Sequence, residues 1–279
     1  MKVCIASKNR AEIMSTHLFF DPSEVLIFVE PQDIKKYKSF WPEYTFIDIE
    51  KNNQGLPYVR NFILKNCSED KLIMSDDDIS SFGVRNKEGR YDAMMKRNEF
   101  LKDIEDGLDK CWGYVIPQSG FAYFMNQEPG TLEEGRYYEN RRTLKAFYGI
   151  NVKKFKEHGI FYDTSDNDDI DTTIQIMFNS GNILADFMYC IEARQSSPMD
   201  EGGLSYTRES PKDVDSILRK NLKTAAERYG FEFLRAVKDK DGYLKSFYIN
   251  MEQLLKRKDI AMKNYEKYLK NKTYEIDNK

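Results

Sequence analysis

The sequence predicts an α/β protein with a mixed, mostly parallel sheet flanked by helices and a helical C-terminal extension. Over residues 1–80, short apolar runs alternate with helix-like segments through short links, a pattern typical of parallel strands joined by helices. From residue 211 the pattern becomes mainly helical, interrupted by a strand pair around Asp241-Gly242. We therefore expect a main domain over residues 1–210 and an extension over 211–279 that packs on it.

The individual elements follow from local patterns. Apolar runs predict strands at residues 3–6, 25–29, 44–49 and 71–75, and the segments between them predict helices at 11–19, 33–40 and 55–66. Pro57 stands in the first turn of the third helix, where its missing N–H is not needed. Further along, helices are expected at 93–110, 170–179, 214–229 and 251–272, strands at 114–116 and 185–191, and a strand or turn at 149–152.

The composition is that of a globular protein. The 279 residues are 41% hydrophobic and 14% aromatic, which excludes a disordered chain and permits a large core. The four cysteines are scattered without a CxxC pair, so we expect no zinc site. No signal peptide and no apolar run of about 18 residues is apparent, so we expect a cytoplasmic protein without membrane contact.

Charge is distributed unevenly along the chain. The net charge is −3, so the whole molecule lacks the basic field that attracts nucleic acid. Residues 211–279 contain 17 Lys and Arg against 11 Asp and Glu, a net charge of +6, whereas residues 1–210 contain 26 against 35, a net charge of −9. The basic extension indicates either a polyanionic acceptor or a solvated helical face, and both explanations stay open.

Three consecutive aspartates, Asp76, Asp77 and Asp78, follow directly on an apolar strand. Adjacent carboxylates repel one another unless a cation lies between them, and α/β proteins bind ligands at the carboxyl ends of strands. Side chains alternate along an extended chain, so Asp76 and Asp78 point the same way and are the expected ligands of Mn²⁺ or Mg²⁺. An acidic loop or a helix cap is the simpler alternative.

Polar residues near the other strand ends could bind a nucleotide. Arg60 and Asn61 lie in the helix that Pro57 opens, and a guanidinium suits a diphosphate. Each candidate also has a simpler explanation: Arg60 as a residue on the surface of a helix, residues 7–10 as a polar turn, and Glu30 as a solvated acid. The remaining candidates, from the loop after the first strand and the end of the second, are Ser7, Lys8, Arg10 and Glu30.

A second acidic cluster extends from Asp163 to Asp171 and opens an apolar helix. Asp168 and Asp169 are the candidate catalytic residues, because a carboxylate there can take the proton of an attacking hydroxyl. Helix capping explains the same residues without catalysis. The two histidines are isolated, and neither a Ser/His/Asp nor a Cys/His arrangement nor a Gly-rich phosphate loop is apparent.

The order of these motifs resembles that of nucleotide-sugar glycosyltransferases of the GT-A (Rossmann-like) fold. The resemblance covers residues 1–210 and rests on Gly-Leu-Pro-x-x-Arg-Asn at 55–61, Ser-Asp-Asp-Asp-Ile at 75–79 and Asp-Asp-x-Asp at 168–171. It implies a nucleotide-sugar half at about residues 1–85 and an acceptor half at about 86–210. The family's later histidine ligand has no counterpart after residue 158.

The resemblance also implies roles for the site residues. Asp76 and Asp78 of this DXD motif would hold Mn²⁺ or Mg²⁺ on the donor diphosphate, with Asp77 beside them. The Ser7–Arg10 loop, Glu30 and the Arg60-Asn61 pair would frame the nucleotide. Asp169 matches the position of the family's base, with Asp168 next to it.

Within that fold, the chain is most similar to the phage-type, TET-associated glycosyltransferases, which place a sugar on 5-hydroxymethylpyrimidines in DNA. The similarity rests on Tyr-Gly-Ile-Asn-Val at 148–152 and Asp-Asp-Ile-Asp-Thr-Thr at 168–173. It implies a hexosyltransferase of bacteriophage DNA modification in the host cytoplasm, with a UDP-sugar as the favoured donor and 5-hydroxymethylcytosine in DNA as acceptor. Four aromatic residues could stack on an extruded base or belong to the core: Tyr123, Phe124, Tyr137 and Tyr138.

Other functions stay open. A nucleotidyltransferase that forms sugar nucleotides also uses acidic metal ligands, but it normally has a Gly-rich loop after the first strand, and residues 7–10 contain no glycine. A non-catalytic module could bind nucleic acid through the basic extension. A glycosyltransferase acting on a polysaccharide would share the donor site. The residues decide neither between inversion and retention at the anomeric carbon nor the oligomeric state.

Overall fold

The structure, a computed structural model, describes residues 1–85, 91–94, 96–118, 136–138, 144–163, 168–194 and 211–277. The described residues form two compact units, one that ends at Arg194 and one that spans residues 211–277. The first unit contains the three consecutive aspartates and the described residues of the second acidic cluster, and the second contains the described part of the basic extension.

The first unit is built on a mixed sheet of eight described strands in the order β3-β2-β1-β4-β9-β7-β10-β8. Strands β1 to β4 run parallel to one another, β9 is antiparallel to β4 and β7, and β8 is antiparallel to β10. This topology confirms the predicted mixed, mostly parallel α/β sheet. The strands are β1 Lys2–Ala6, β2 Val25–Val29, β3 Thr45–Asp48, β4 Lys71–Ser75, β7 Gly113–Val115, β8 Arg136–Tyr138, β9 Phe147–Asn151 and β10 Ile183–Asp186.

Helices and apolar side chains cover the sheet on both faces. Alternate residues of β1 belong to different groups of buried side chains, Val3 and Ile5 to one and Cys4 to the other. A strand buried on both faces is typical of a parallel sheet between two helical layers. The helices of this unit are α1 Ile34–Phe40, α2 Leu56–Asn66, α3 Arg97–Leu108, α4 Val152–Glu157 and α5 Asp168–Phe178.

A smaller sheet of three described strands follows the aspartate triad. Its order is β11-β5-β6, from β5 Ile79–Arg85, β6 Tyr91–Met94 and β11 Tyr189–Ala193. Since β4 ends at Ser75 and β5 begins at Ile79, the three aspartates form the whole connection between β4 of the large sheet and β5 of the small one. Strand pairing on both sides therefore fixes the backbone of the triad.

Two predicted elements of the first unit differ from the structure. Residues 11–19 form turns and a 3₁₀-helix at Thr16–Phe19 rather than an α-helix, because the N–H groups of Ser15 and Thr16 donate to the Asp77 carbonyl oxygen. The predicted strand 185–191 is two strands, β10 in the large sheet and β11 in the small one. The N–H of Met188 donates to Asp186 Oδ1 and stabilises the turn between them. Strands β5, β6 and β8 are absent from the sequence prediction, and β6 includes residues 93 and 94, where the helix 93–110 is expected to begin.

The second unit contains a helix, a β-hairpin and two further helices: α6 Pro211–Tyr229, β12 Leu234–Lys238, β13 Leu244–Ile249, α7 Met251–Lys256 and α8 Lys258–Asp277. The predicted strand pair is present, and Gly242 adopts the positive φ of +85° that its turn requires. The predicted helix 251–272 is two helices, because the backbone of Arg257 leaves the helical region. No helix in the described part of the chain is long and apolar enough to cross a membrane. The packing of this extension on the main domain stays a prediction.

Candidate functional site

The predicted site residues lie at one edge of the large sheet. Strands β1, β2 and β4 are parallel and end at this edge, so Ser7, Glu30 and Asp76 follow their last residues there. The antiparallel strand β9 begins at the same edge. The N–H of Asp76 donates to the carbonyl oxygen of Ala146 at 2.8 Å, which ties the triad to the start of β9.

The three aspartates of the triad have different environments. The side chain of Asp76 is 38% exposed and that of Asp78 is 24% exposed, whereas that of Asp77 is 6% exposed. The alternation expected for an extended chain is therefore present. Asp76 and Asp78 offer carboxylate oxygens to a ligand, and Asp77 is engaged by internal hydrogen bonds.

Asp77 is held by a network that reaches β1 and α1. Its Oδ2 accepts from Ser7 Oγ, and its Oδ1 accepts from Arg10 Nη1 at 2.9 Å. Because the single hydroxyl hydrogen of Ser7 goes to Asp77, Ser7 Oγ accepts from Tyr37 Oη at 2.6 Å. Tyr37 Oη accepts in turn from the backbone N–H of Arg10 at 2.9 Å. Ser7 and Arg10, expected to bind the nucleotide, thus contact the triad, and Arg10 Nη1 also lies 3.3 Å from Asp78 Oδ2.

Hydrogen bonds from Ser15 and Thr16 hold the backbone of the triad and of the residue after it. Thr16 Oγ1 donates to the Asp76 carbonyl oxygen at 2.8 Å and accepts from the N–H of Ile79 at 2.9 Å. Ser15 Oγ donates to the Ile79 carbonyl oxygen at 2.7 Å. These bonds explain why residues 11–19 do not close an α-helix: their polar groups serve the triad.

Arg60 joins the two acidic clusters. Its Nη1 lies 2.6 Å from Asp168 Oδ2, and its Nη2 lies 3.4 Å from Asp76 Oδ1. The guanidinium is buried, with its central carbon 5.7 Å and 5.6 Å from the ring centroids of Tyr148 and Tyr162. Aromatic faces stabilise a cation that has lost its water. Arg60 therefore holds the start of α5 against the triad.

Asn61, the other candidate on α2, is bonded to backbone. Its Nδ2 donates to the carbonyl oxygen of Tyr162, and its Oδ1 accepts from the N–H of the same residue at 2.9 Å. The two bonds place the Tyr162 ring beside Arg60. Within the described residues, the amide of Asn61 thus positions another member of the site.

Lys8 and Glu30 form a second polar group at the ends of β1 and β2. Lys8 Nζ lies 3.1 Å from Glu30 Oε1 and donates to Asn53 Oδ1 at 2.6 Å. Glu30 is buried, and its Oε1 also accepts from the N–H of Asn53 at 2.8 Å. Lys8 keeps 31% of its side chain exposed and is the member of this group that a ligand can reach most readily.

Asp169 lies beside a lysine at the start of α5. Its Oδ2 is 3.5 Å from Lys145 Nζ, and its Oδ1 accepts from the N–H of Ile170 at 2.8 Å. The residue after Lys145, Ala146, has a φ of +53°, a left-handed conformation that residues with a Cβ rarely adopt. Such strain often accompanies functional sites. Ala146 accepts a hydrogen bond from Asp76 and directly follows Lys145, so this strained residue connects the triad to the lysine beside Asp169.

The site carries more negative than positive charge. Burial raises the pKa of Asp76 to about 7; Asp78, Asp77 and Asp168 add to the rise, and Arg60 opposes it. Solvent reaches 38% of the Asp76 side chain and screens part of this repulsion. Burial also raises the pKa of Asp77 and that of Asp168.

A divalent cation would relieve this excess of negative charge. Within the described ranges, no group of three or more His, Cys, Asp or Glu residues is arranged to hold a metal ion. Asp76 and Asp78 are partly exposed oxygen donors, which suits a hard cation that takes its other ligands from phosphate oxygens and water. The residues present therefore fit Mn²⁺ or Mg²⁺ together with a diphosphate.

His17 is a packed residue. It is fully buried, with its ring centroid 4.4 Å from that of Trp41 and 4.8 Å from that of Tyr44. Neither ring nitrogen has a hydrogen-bond partner among the described residues, and burial lowers the pKa of His17 to about 4. A neutral imidazole enclosed by aromatic rings supports the loop before the triad and offers no base to a substrate.

Three contributors to the site are missing from the sequence prediction. Tyr37, Thr16 and Lys145 contact the triad network or the candidate base, but no motif marks them, since each acts on residues far along the chain. Of the predicted aromatic residues, Tyr123 and Phe124 lie outside the described residues. Tyr137 and Tyr138 belong to β8, and their side chains lie outside the described part of the chain.

The family model of the TET-associated glycosyltransferases matches residues 1–203. The chain belongs to this family. It is therefore a glycosyltransferase, and the resemblance predicted from the motif order is confirmed. The matched region contains the triad and Asp168, and ends before the second unit. The comparison with curated proteins gave no match.

Several solved structures are similar at low sequence identity. S. aureus TarS 1–349 in complex with UDP-GlcNAc is 16% identical over 81% of this chain and 67% of that chain, with a TM-score of 0.48. The mannosyltransferase PcManGT from Pyrobaculum calidifontis, in complex with GDP-Man and Mn²⁺, is 11% identical over 80% and 63%, with a TM-score of 0.47. Glucosyl-3-phosphoglycerate synthase from Mycobacterium tuberculosis, in complex with Mn²⁺, UDP-glucose and phosphoglyceric acid, is 10% identical over 78% and 78%, with a TM-score of 0.47. The matches span about two thirds of the TarS and PcManGT chains.

Arg60→Ala tests the bridge between the acidic clusters. We expect it to lower the free energy of unfolding by about 3–5 kcal/mol, because it leaves buried Asp168 without its counter-charge. Asp168→Asn added to the same chain should recover much of this loss. The control is Lys36→Ala, which breaks an exposed pair with Glu12 and should change the value by less than about 1 kcal/mol. Urea denaturation at neutral pH measures all four proteins, and a loss no larger than the control's would contradict the bridge.

Because of His17, we expect the free energy of unfolding to depend on pH. Its pKa is about 4 in the folded protein against 6.5 ordinarily, so the unfolded chain takes up the proton first as the pH falls. The stability provided by neutral His17 is complete above about pH 6.5 and is lost between about pH 6.5 and 4, reaching a loss of about 2.5 kcal/mol at pH 4.5. His17→Phe keeps a ring without the titration. Urea denaturation at pH 7.5 and 4.5 should show that wild type loses about 2.5 kcal/mol more than the variant; parallel losses would contradict this assignment.

Proposed function

We propose that this glycosyltransferase moves a hexose from a nucleoside-diphosphate sugar, with a UDP-sugar as the favoured donor, to the hydroxyl group of a 5-hydroxymethylpyrimidine in DNA. The observation that carries the proposal is the Arg60 bridge, 2.6 Å to Asp168 and 3.4 Å to Asp76, which makes one site of the two acidic clusters. Membership of the TET-associated family supports both the sugar transfer and this class of acceptor.

The triad edge is the proposed donor half. Asp76 and Asp78 face solvent, and Asp77 is held by Ser7 and Arg10, so the two outer carboxylates are oriented before any ligand binds. A divalent cation held by Asp76 and Asp78, Mn²⁺ or Mg²⁺, would neutralise the charge that develops on the leaving diphosphate. Lys8, partly exposed beside Glu30, is the proposed contact to the nucleoside.

The start of α5 is the proposed acceptor half. Asp169 accepts the proton of the acceptor hydroxyl as its oxygen attacks the anomeric carbon. Asp168 does not reach the acceptor in this proposal, because its carboxylate is buried and bonded to Arg60. It keeps the helix start, and with it Asp169, in place. Attack assisted by Asp169 from the face opposite the leaving group inverts the anomeric centre.

The acceptor is tested by mass spectrometry of DNA. Duplexes containing 5-hydroxymethylcytosine, 5-hydroxymethyluracil or unmodified bases are incubated with the protein, Mn²⁺ and a panel of sugar nucleotides. A mass increase of one hexose confined to a hydroxymethylated duplex is the expected result. Transfer to a polysaccharide with none to any DNA would contradict the proposed acceptor and leave the glycosyltransferase assignment in place.

Asp169→Asn tests the proposed base. We expect it to lower kcat by about 10²–10⁴-fold with little change in donor affinity, because an amide cannot accept the proton. Asp76→Asn with Asp78→Asn should instead weaken donor binding measured calorimetrically with Mn²⁺, and chelation by EDTA should reproduce that loss in wild type. Asp106→Asn, an exposed aspartate on α3, is the control. Full activity of Asp169→Asn would rule out its role as base.

A further inference from the structure

The hairpin of the second unit has a surface that the transfer chemistry does not use. It lies outside the residues that the family model matches. Strands β12 and β13 pair antiparallel, and no other described strand pairs with either. The two strands are therefore a ribbon rather than the edge of a larger sheet.

The ribbon has a packed face and an open face. Phe247 and Ile249 are buried on one face. On the other face, Arg235 is paired directly with Tyr248, and Val237 follows two residues along the same strand. Tyr248 is 46% exposed and Val237 is 39% exposed. Within the described part of the chain, Val237 and Tyr248 are therefore exposed apolar side chains beside an arginine, a combination that suits a contact surface.

The charge on and around this face is positive. The side chain of Arg235 forms no ion pair and no hydrogen bond with any residue that the structure describes. Lys238 and Lys240 are also exposed. The turn also contains two acids, Asp239 and Asp241, so these three basic side chains exceed the acids of the turn by one. Residues 211–279 as a whole carry a net charge of +6, so the small positive excess on this face is continued by the rest of the unit, which favours a polyanion.

We propose that the β12–β13 ribbon docks in the major groove of duplex DNA, an inference that rests on the proposed DNA acceptor. The major groove is about 12 Å wide and admits a two-stranded β-ribbon. Arg235 can bond the O6 and N7 acceptors of guanine, while lysines near the turn contact phosphates. The C5 substituent of a pyrimidine lies in the same groove, where Val237 and the Tyr248 ring offer apolar contact. The ribbon thus approaches the duplex from the side that carries the hydroxymethyl group.

The test is the affinity of the full chain for a 20-base-pair duplex containing 5-hydroxymethylcytosine, measured by fluorescence anisotropy without a sugar nucleotide. Arg235→Ala combined with Tyr248→Ala should raise Kd by about tenfold or more, since the bidentate bond of the guanidinium to guanine and the apolar contact of the ring are both lost. The matched control is Lys267→Ala combined with Phe40→Ala, because Phe40 is also 46% exposed. The control should change Kd by less than about threefold. Circular dichroism confirms that both proteins are folded, as expected for exposed positions.

The outcomes separate this inference from the proposed function. Equal increases in Kd for the two double variants would overturn the proposal that the ribbon binds DNA. So would full competition by inorganic polyphosphate at the same phosphate concentration, since that chain has no groove. Sugar transfer to the duplex with an unchanged KM in the ribbon variant would overturn the ribbon and leave the proposed function standing. Tight, ribbon-dependent binding of the duplex by a protein that transfers no sugar to it would support the ribbon and contradict the proposed acceptor.

Discussion

The buried guanidinium of Arg60 is the interaction on which the rest of the site depends. Without a cation between them, Asp76 and Asp168 would be two partly desolvated carboxylates in a region of low dielectric, where like charges repel strongly. Arg60 contacts both carboxylates and lies beside the rings of Tyr148 and Tyr162, so its own loss of hydration is compensated. The start of α5 and the end of β4 are joined in this way, although 92 residues separate Asp76 from Asp168 in the sequence.

A division of roles among the three aspartates follows from this arrangement. The triad links β4 of the large sheet directly to β5 of the small sheet, so its backbone cannot rearrange without disturbing strands on both sides. Asp77 is fixed by Ser7 and Arg10, whose positions are set in turn by the Tyr37 hydroxyl. Rigid support of this kind keeps the ligand-binding carboxylates oriented before the ligand arrives, which lowers the reorganisation that binding and catalysis require. Asp76 and Asp78 gain that orientation while remaining partly exposed.

The sequence predicts those parts of the fold and site that depend on local patterns. The parallel strands and the helices between them follow from apolar runs and their spacing, and the triad is placed correctly because it directly follows a strand. The helix predicted at residues 11–19 is wrong because N–H and hydroxyl groups of this segment form hydrogen bonds with the triad, which lies about 60 residues later. No local pattern reveals such contacts. Tyr37 and Lys145 are missing from the predicted site for the same reason. The sequence places Arg60 among the candidate site residues, but only the fold brings Asp168 to it.

We propose that Asp76 and Asp78 form the donor half of one site, which Arg60 joins to the second acidic cluster. Anomalous diffraction at the manganese absorption edge, from crystals grown with Mn²⁺ and a nucleoside diphosphate, locates the cation relative to these carboxylates. We expect one strong peak within coordination distance of the Asp76 or Asp78 carboxylate and of the diphosphate oxygens, with the Arg60 bridge to Asp168 intact. A bound diphosphate whose manganese peak lies at other residues, or that binds with no peak beside the triad, would contradict it.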